Sequence, residues 1–149
     1  MEVRNTQLAA AQLNVTVSSV EVRGASDLPR ALSAVSSTRS DALIALADPL
    51  TILNAPAIVR YATTHRSPLV SEVREFTYAG ALMTYGPNLA HLFRLAARPV
   101  DKIMRGALPG DLPVEQPTTF ELVINLRTAR ALGVTIPPAL LLRAAQVIE

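Results

Sequence analysis

The run ALIALA at residues 42–47 is bounded on one side by Ser40-Asp41 and on the other by Asp48-Pro49. It is short for a helix and too continuously apolar for a strand with one wet face, so it predicts a strand buried on both faces of a parallel sheet. Parallel neighbours need long crossovers, usually helical, and the chain provides them. VTVSSVEV (15–22) predicts a strand ended by Gly24, and SDLPRALSAVSS a helix that Ser26 caps with Pro29 in its first turn. After ALIALA come a helix APAIVRYATTHR capped by Asn54, a strand at 68–71, a strand at 80–85 and a further strand TFELVINL (119–126). NTQLAAAQL at the start, RTARALG and the terminal PPALLLRAAQVIE read as helices. The fold class expected is α/β, three layers in α/β/α order with a mainly parallel sheet.

YGPNLAHLFRLAARPVDKIMRG raises a separate question. Asn88 is placed to cap a helix over 88–105 and Gly106 to stop it. Leu89, Leu92, Phe93, Ala96, Val100, Ile103 and Met104 fall on one stripe at helical spacing. That stripe needs a surface to cover it. Pro99 inside the helix removes one backbone hydrogen bond and is expected to kink it.

Half of the 149 residues are hydrophobic and the net charge is only +2, with a single lysine and scattered arginines, so no basic stripe points to nucleic acid. The absence of cysteine removes disulfides, thiolate nucleophiles and Cys-based metal sites. His65 and His91 are far apart; His65 suits the end of a helix and His91 a solvated turn, so no metal site is expected. No nucleophile elbow, phosphate-binding glycine loop or dinucleotide fingerprint occurs, and neither enzyme chemistry nor a cofactor is expected. No apolar run reaches membrane-spanning length, and no charged segment followed by an apolar one marks a signal peptide at the start. As written, the chain is expected in the cytoplasm.

In an open α/β sheet, ligands bind beyond the carboxyl ends of the strands. That rule selects Asp48 and Thr51 after the 42–47 strand, Ser71 and Glu72 after the 68–71 strand, Glu75 slightly beyond, and Tyr85 at the end of the 80–85 strand. Acceptors, a hydroxyl and one aromatic ring suit a polar small molecule, such as one carrying an amine. The competing reading makes Asp48 an Asx turn before Pro49 and leaves Glu72 and Glu75 on a solvated loop.

The chain from about residue 5 to its end resembles the C-terminal part of bacterial ABC transporter solute-binding proteins, in the branch related to tryptophan/tyrosine-type binding proteins. GDLPVEQPTTFELVINLRTARALGVTIP (110–137) carries the resemblance most specifically, and SDALIALADPL and REF…G add to it. The resemblance implies a type I periplasmic binding protein: two α/β lobes joined by three crossing strands that close on a solute. On that basis residues 1–86 are a segment of the C-terminal lobe. Residues 87–112 are a helix and crossing segment belonging to the N-terminal lobe, and 113–149 return to the C-terminal lobe. The family implies a periplasmic location, a small-molecule solute such as an amino acid or aromatic acid, and an ABC permease as partner.

The chain departs from the family in lacking most of the N-terminal lobe and the first strand of the C-terminal lobe. That strand usually lies inside the sheet, so a gap is expected between VTVSSVEV and ALIALA. The helix at 88–105 loses its cover, and a homodimer through that stripe is one expected outcome. Two functions compete: a solute-binding transport module, whole or truncated, and a cytoplasmic ligand-sensing regulatory domain of the same fold.

Overall fold

The structure, a computed structural model, describes residues 2–114 and 116–149; Met1, the side chain of Glu2, and Glu115 in the proline-rich crossing lie outside it. Five strands form one sheet whose spatial order follows the chain: β1 (Leu43–Ala45), β2 (Leu69–Ser71), β3 (Met83–Pro87), β4 (Phe120–Asn125) and β5 (Gln146–Ile148). The β1–β2, β2–β3 and β4–β5 pairs are parallel, and β3–β4 is antiparallel. The crossovers are helical, as parallel pairing requires. Helices α1 (Glu2–Gln12) and α2 (Leu28–Ser37) precede β1, and α3 (Pro49–Leu53) and α4 (Ala55–Thr64) link it to β2. Then α5 (Glu75–Ala79) links β2 to β3, while α7 (Leu126–Leu132) and α8 (Pro138–Arg143) link β4 to β5. Between β3 and β4 the chain makes a long excursion that carries α6 (Leu89–Met104). This is the mixed α/β fold, with a mostly parallel sheet flanked by helices, that the alternation of strands and helices predicts.

Two apolar clusters hold it. One gathers Ala45, Ile58, Val59, Ala62, Leu69 and Phe76 around β1, β2, α4 and α5, with Phe76 and Leu69 fully enclosed. The other packs Leu122 and Ile124 of β4 against Ala129 of α7 and Ile136. The buried threonine and asparagine side chains between them are paired, as burial demands. Thr77 Oγ1 donates to Thr84 Oγ1 at 2.8 Å, Asn125 Nδ2 to the Thr77 carbonyl at 3.2 Å, and Thr128 Oγ1 to the Gly80 carbonyl at 2.9 Å. These bonds fix α5 and α7 to the β3–β4 centre.

Four expectations are corrected. Residues 15–22 form no strand: they have no ladder partner, and a strand exists only as part of a ladder. ALIALA yields only the three residues of β1, and that strand is the sheet's edge, with Ile44 58% exposed and not buried on both faces. QVI near the terminus leaves the expected helix and pairs with the open edge of β4, which offers its backbone groups more than another helical turn would. Finally, Asp27 and not Ser26 is the N-cap of α2, without a side-chain bond; Asn54 is the N-cap of α4 as expected, although its amide turns back to the Leu50 carbonyl at 2.8 Å and makes no capping bond.

The helix over 88–105 forms as α6, running unbroken through Pro99. Asn88 accepts from the His91 N–H at 2.9 Å, and Gly106 takes the left-handed φ of +100° beyond its end. No residue of α6 is buried. Leu92, Leu95, Ala96 and Pro99 face Leu112–Val114 across a cavity of about 320 Å³. The rest of the stripe is open, with Phe93 78% and Met104 82% exposed.

Candidate ligand-binding site

The carboxyl ends of β1, β2 and β3 lie side by side, because the three strands are parallel and consecutive. The antiparallel β4 begins at the same end, so Phe120 and Glu121 join them. All six residues selected from the sequence lie at or just beyond this end: Ser71 closes β2, Tyr85 is within β3, Asp48 and Glu72 are in the connections that follow β1 and β2, and Thr51 and Glu75 are in the first turns of α3 and α5.

Asp48 is the N-cap of α3. Its Oδ1 accepts from the Leu50 N–H at 2.8 Å, and its own N–H donates to Thr51 Oγ1 at 3.1 Å. Thr51 Oγ1 in turn donates to the Leu46 carbonyl at 2.7 Å. This reciprocal capping shapes the loop after β1. Asp48 stays exposed although its carboxylate accepts from the backbone of this first turn, while the Thr51 hydroxyl is taken up internally. Ser71 is turned into the protein, only 3% exposed. Its hydroxyl donates to the Ala45 carbonyl at 2.8 Å and accepts from the Val73 N–H at 3.3 Å, so it joins β1 to the turn after β2 and offers nothing outward. Glu72 is half-buried, and its Oε1 accepts from the Ala47 N–H at 2.7 Å, which ties the first loop to the second. Glu75 opens α5 and is exposed. Tyr85 is 54% exposed and stacks on Phe120, the ring centroids 5.7 Å apart.

The structure therefore sorts the six. Ser71 and Thr51 build the loops; Asp48, Glu72, Glu75 and Tyr85 present acceptors and a ring at one end of the sheet.

The sequence reading passed over a polar chain beside them. Arg74 NH1 pairs with Glu121 Oε2 at 3.5 Å, and Asn88 Nδ2 donates to Glu121 Oε1 at 2.7 Å. Arg74 NH2 also donates to Gln146 Oε1 at 3.1 Å and to the Tyr78 hydroxyl. Glu121 thus receives from α5 on one oxygen and from the cap of α6 on the other, at the point where the chain leaves and re-enters the sheet. A close approach accompanies it: a Cβ on Gly86 would fall 1.9 Å from the Glu72 carbonyl oxygen. Alternation along TFELVINL separates Phe120 from Glu121 by face, a signal available in the sequence. The partners of Glu121 come from α5 and α6 and were not.

A second concavity of about 400 Å³ lies between α4 and α7, lined in part by Arg66, Ser67, Leu69, Leu82 and Arg127. None of the six residues lines either concavity. The site at the strand ends is an open wall. Among the described residues no group of acidic or histidine side chains is arranged to hold a metal, and no helix is long and apolar enough to cross a membrane.

The sequence profile of a family described as ABC transporter substrate binding protein matches residues 1–148. Comparison with curated proteins returns no match. Among solved structures, a conserved domain protein from Vibrio cholerae O1 biovar El Tor superposes with a TM-score of 0.91 at 26% identity, over 97% of this chain and 49% of that one. An ABC domain from Streptococcus pneumoniae in complex with L-Trp gives 0.91 at 24%, over 99% and 51%. The ligand-free, open structure of CD0873, a substrate binding protein with adhesive properties from Clostridium difficile, gives 0.68 at 20%, over 98% and 48%. The chain spans about half the length of each.

Proposed function

Since the chain belongs to the ABC transporter substrate-binding protein family, we propose that it forms one wall of a solute cleft serving an ABC-type uptake system. The solute is a small polar organic molecule, an amino acid or aromatic acid, and the role is binding without catalysis. The observation that carries this is the gathering of Asp48, Glu72, Glu75 and Tyr85 at one end of the sheet, with Phe120 stacked on Tyr85. Carboxylate oxygens suit an ammonium group, and exposed rings suit an apolar or aromatic side chain. The L-Trp bound to the streptococcal neighbour supports that ligand class. An ABC permease is then the partner, and a periplasmic or extracellular location goes with the role.

One wall encloses much less of a ligand than a closed cleft, which buries most of it. This chain by itself is expected to bind L-Trp with a Kd on the order of millimolar. Because it contains no tryptophan, the fluorescence of L-Trp reports binding without background. Saturable quenching or enhancement that Asp48→Asn and Tyr85→Ala both weaken is the expected result. Signals unchanged by both substitutions would remove the site from these residues, and micromolar binding would refute the single-wall reading.

A further inference from the structure

The concavity of about 400 Å³ between α4 and α7 lies at the start of β2 and β3 and just past the end of β4, the end of the sheet opposite Asp48 and Tyr85. Leu69, Leu82 and Leu132 give it apolar walls. Its polar side chains divide in two. Thr63 and Thr128 spend their hydroxyls on the carbonyls of Val59 and Gly80, each at 2.9 Å. Arg66, Arg127 and Ser67 keep hydrogen-bonding capacity in reserve. Arg66 is exposed, and its guanidinium has no partner among the described residues. A left-handed turn closes α4 and fixes Arg66 there: its φ is +51°, its N–H donates to the Thr63 carbonyl at 3.2 Å, and the Ser67 N–H donates to the Ala62 carbonyl at 2.9 Å. Arg127, also exposed, gives its Nε to the Glu149 backbone oxygen, and no acidic side chain pairs with either arginine among the described residues. The Ser67 hydroxyl is shielded from water and unpartnered.

We propose that this concavity is a second binding site, one that takes an amphipathic carboxylate: a single carboxylate group carried on an aliphatic chain. The planar forks of Arg66 and Arg127 match carboxylate geometry and form charge-assisted hydrogen bonds with it. A buried hydroxyl without a partner is costly, and the same carboxylate supplies Ser67 with an acceptor. The aliphatic chain covers Leu69, Leu82 and Leu132. An inorganic anion would satisfy the arginines and leave those walls wet, while a neutral alcohol would cover the walls and leave the guanidinium groups unanswered. The volume is of the size that small-molecule sites have, roughly 300–1,000 Å³. None of these residues belongs to the solute wall at the other end of the sheet, so the failure of one site leaves the other standing.

Octanoate is the probe, titrated into the full chain while the amide chemical shifts are followed by NMR, with n-octanol and inorganic phosphate as the tail-only and anion-only controls. The expected result is saturable movement of the amides in 63–69 and 128–132. Arg66→Gln and Arg127→Gln should each weaken octanoate binding about fivefold, the size of a charge-assisted bond discounted for exposure, and leave n-octanol unaffected. Arg98→Gln removes the same charge from the exposed surface of α6, outside the concavity, and should change nothing. The spectrum of each variant also reports that it is folded. Equal binding of octanoate and n-octanol, or equal weakening by Arg98→Gln, overturns the proposal. So do phosphate reproducing the octanoate shifts, shifts that grow without saturating, and shifts centred on the open stripe of α6 or on Asp48 and Tyr85.

Discussion

LVS at 69–71 and VTVSSVEV at 15–22 are made of similar residues, and the longer one has the stronger β character. Only the shorter is a strand. Leu69 is 2% exposed and β2 has a ladder on each side, whereas residues 15–22 have a neighbour on neither side and Val15 is 55% exposed. Preference for a pleated surface is thus realised only where another strand supplies one. The molecule divides along this line: β2 to β5 with α4, α5 and α7 form a finished unit, and the segment before α2 together with α6 does not.

The largest test strikes the finished side. Ile124 is fully enclosed between β3 and α7, and Ile124→Ala is expected to cost about 2–5 kcal/mol. Thermal unfolding followed by circular dichroism reads it. Val20→Ala in the unpaired segment should stay within about 0.5 kcal/mol in the same experiment. Equal losses at the two positions would show that residues 15–22 belong to the cooperative core, and the division proposed above would fall.

Gly86→Ala comes next, at the border between the two regions. The added methyl carbon meets the backbone oxygen of Glu72 at 1.9 Å, and a backbone atom cannot swing aside as a side chain can. A loss of about 1–3 kcal/mol is expected, with the shift felt in the loop after β2 and in the exit of β3 toward α6. Chemical denaturation measures the loss. Thr84→Val tests the polar core between α5 and β3: it removes the 2.8 Å partner of the buried Thr77 hydroxyl and should cost about 1–3 kcal/mol. A neutral result there would mean the Thr77 hydroxyl turns to another acceptor.

What the sequence revealed follows the same division. The caps of α6 and α7, at Asn88 and Asn125 and at Gly106 and Gly133, are local, and of these the Asn88 and Gly106 signals are legible in the residues. The strands β2, β3 and β4 were placed because apolar runs bounded by turn residues coincide with real ladders. QVI was misread because nothing local separates a last helical turn from a strand that pairs with a distant edge. The carboxyl-end rule anticipated that Asp48, Glu72, Glu75 and Tyr85 lie at one end of the sheet, since it needs only the direction of the strands. It could not tell that Ser71 points inward, nor that Arg74, Asn88 and Glu121 meet, because those facts depend on how three separate elements pack.

The smallest effect is expected at the Glu21–Arg23 pair, the one place among the described residues where a carboxyl is clearly perturbed. The Arg23 guanidinium donates a hydrogen bond to Glu21 at 3.1 Å, and this bond, followed by its charge, holds the Glu21 carboxyl below the usual range while the carboxylate holds the guanidinium above its own. A depressed carboxyl contributes stability above its unfolded pKa and loses it as the pH falls through the folded value. Here both groups are fully exposed to water, two residues apart, on the segment that has no ladder. Water and salt screen such a pair, and the two groups can meet as readily in an unfolded chain. Glu21→Gln is therefore expected to leave the acid limb of a melting-temperature-against-pH profile unchanged. If the substitution flattens that limb, the pair is held only in the folded state. Residues 15–22 would then be fixed more firmly than their missing backbone bonds imply, and the contrast with β2 would narrow to the ladder alone.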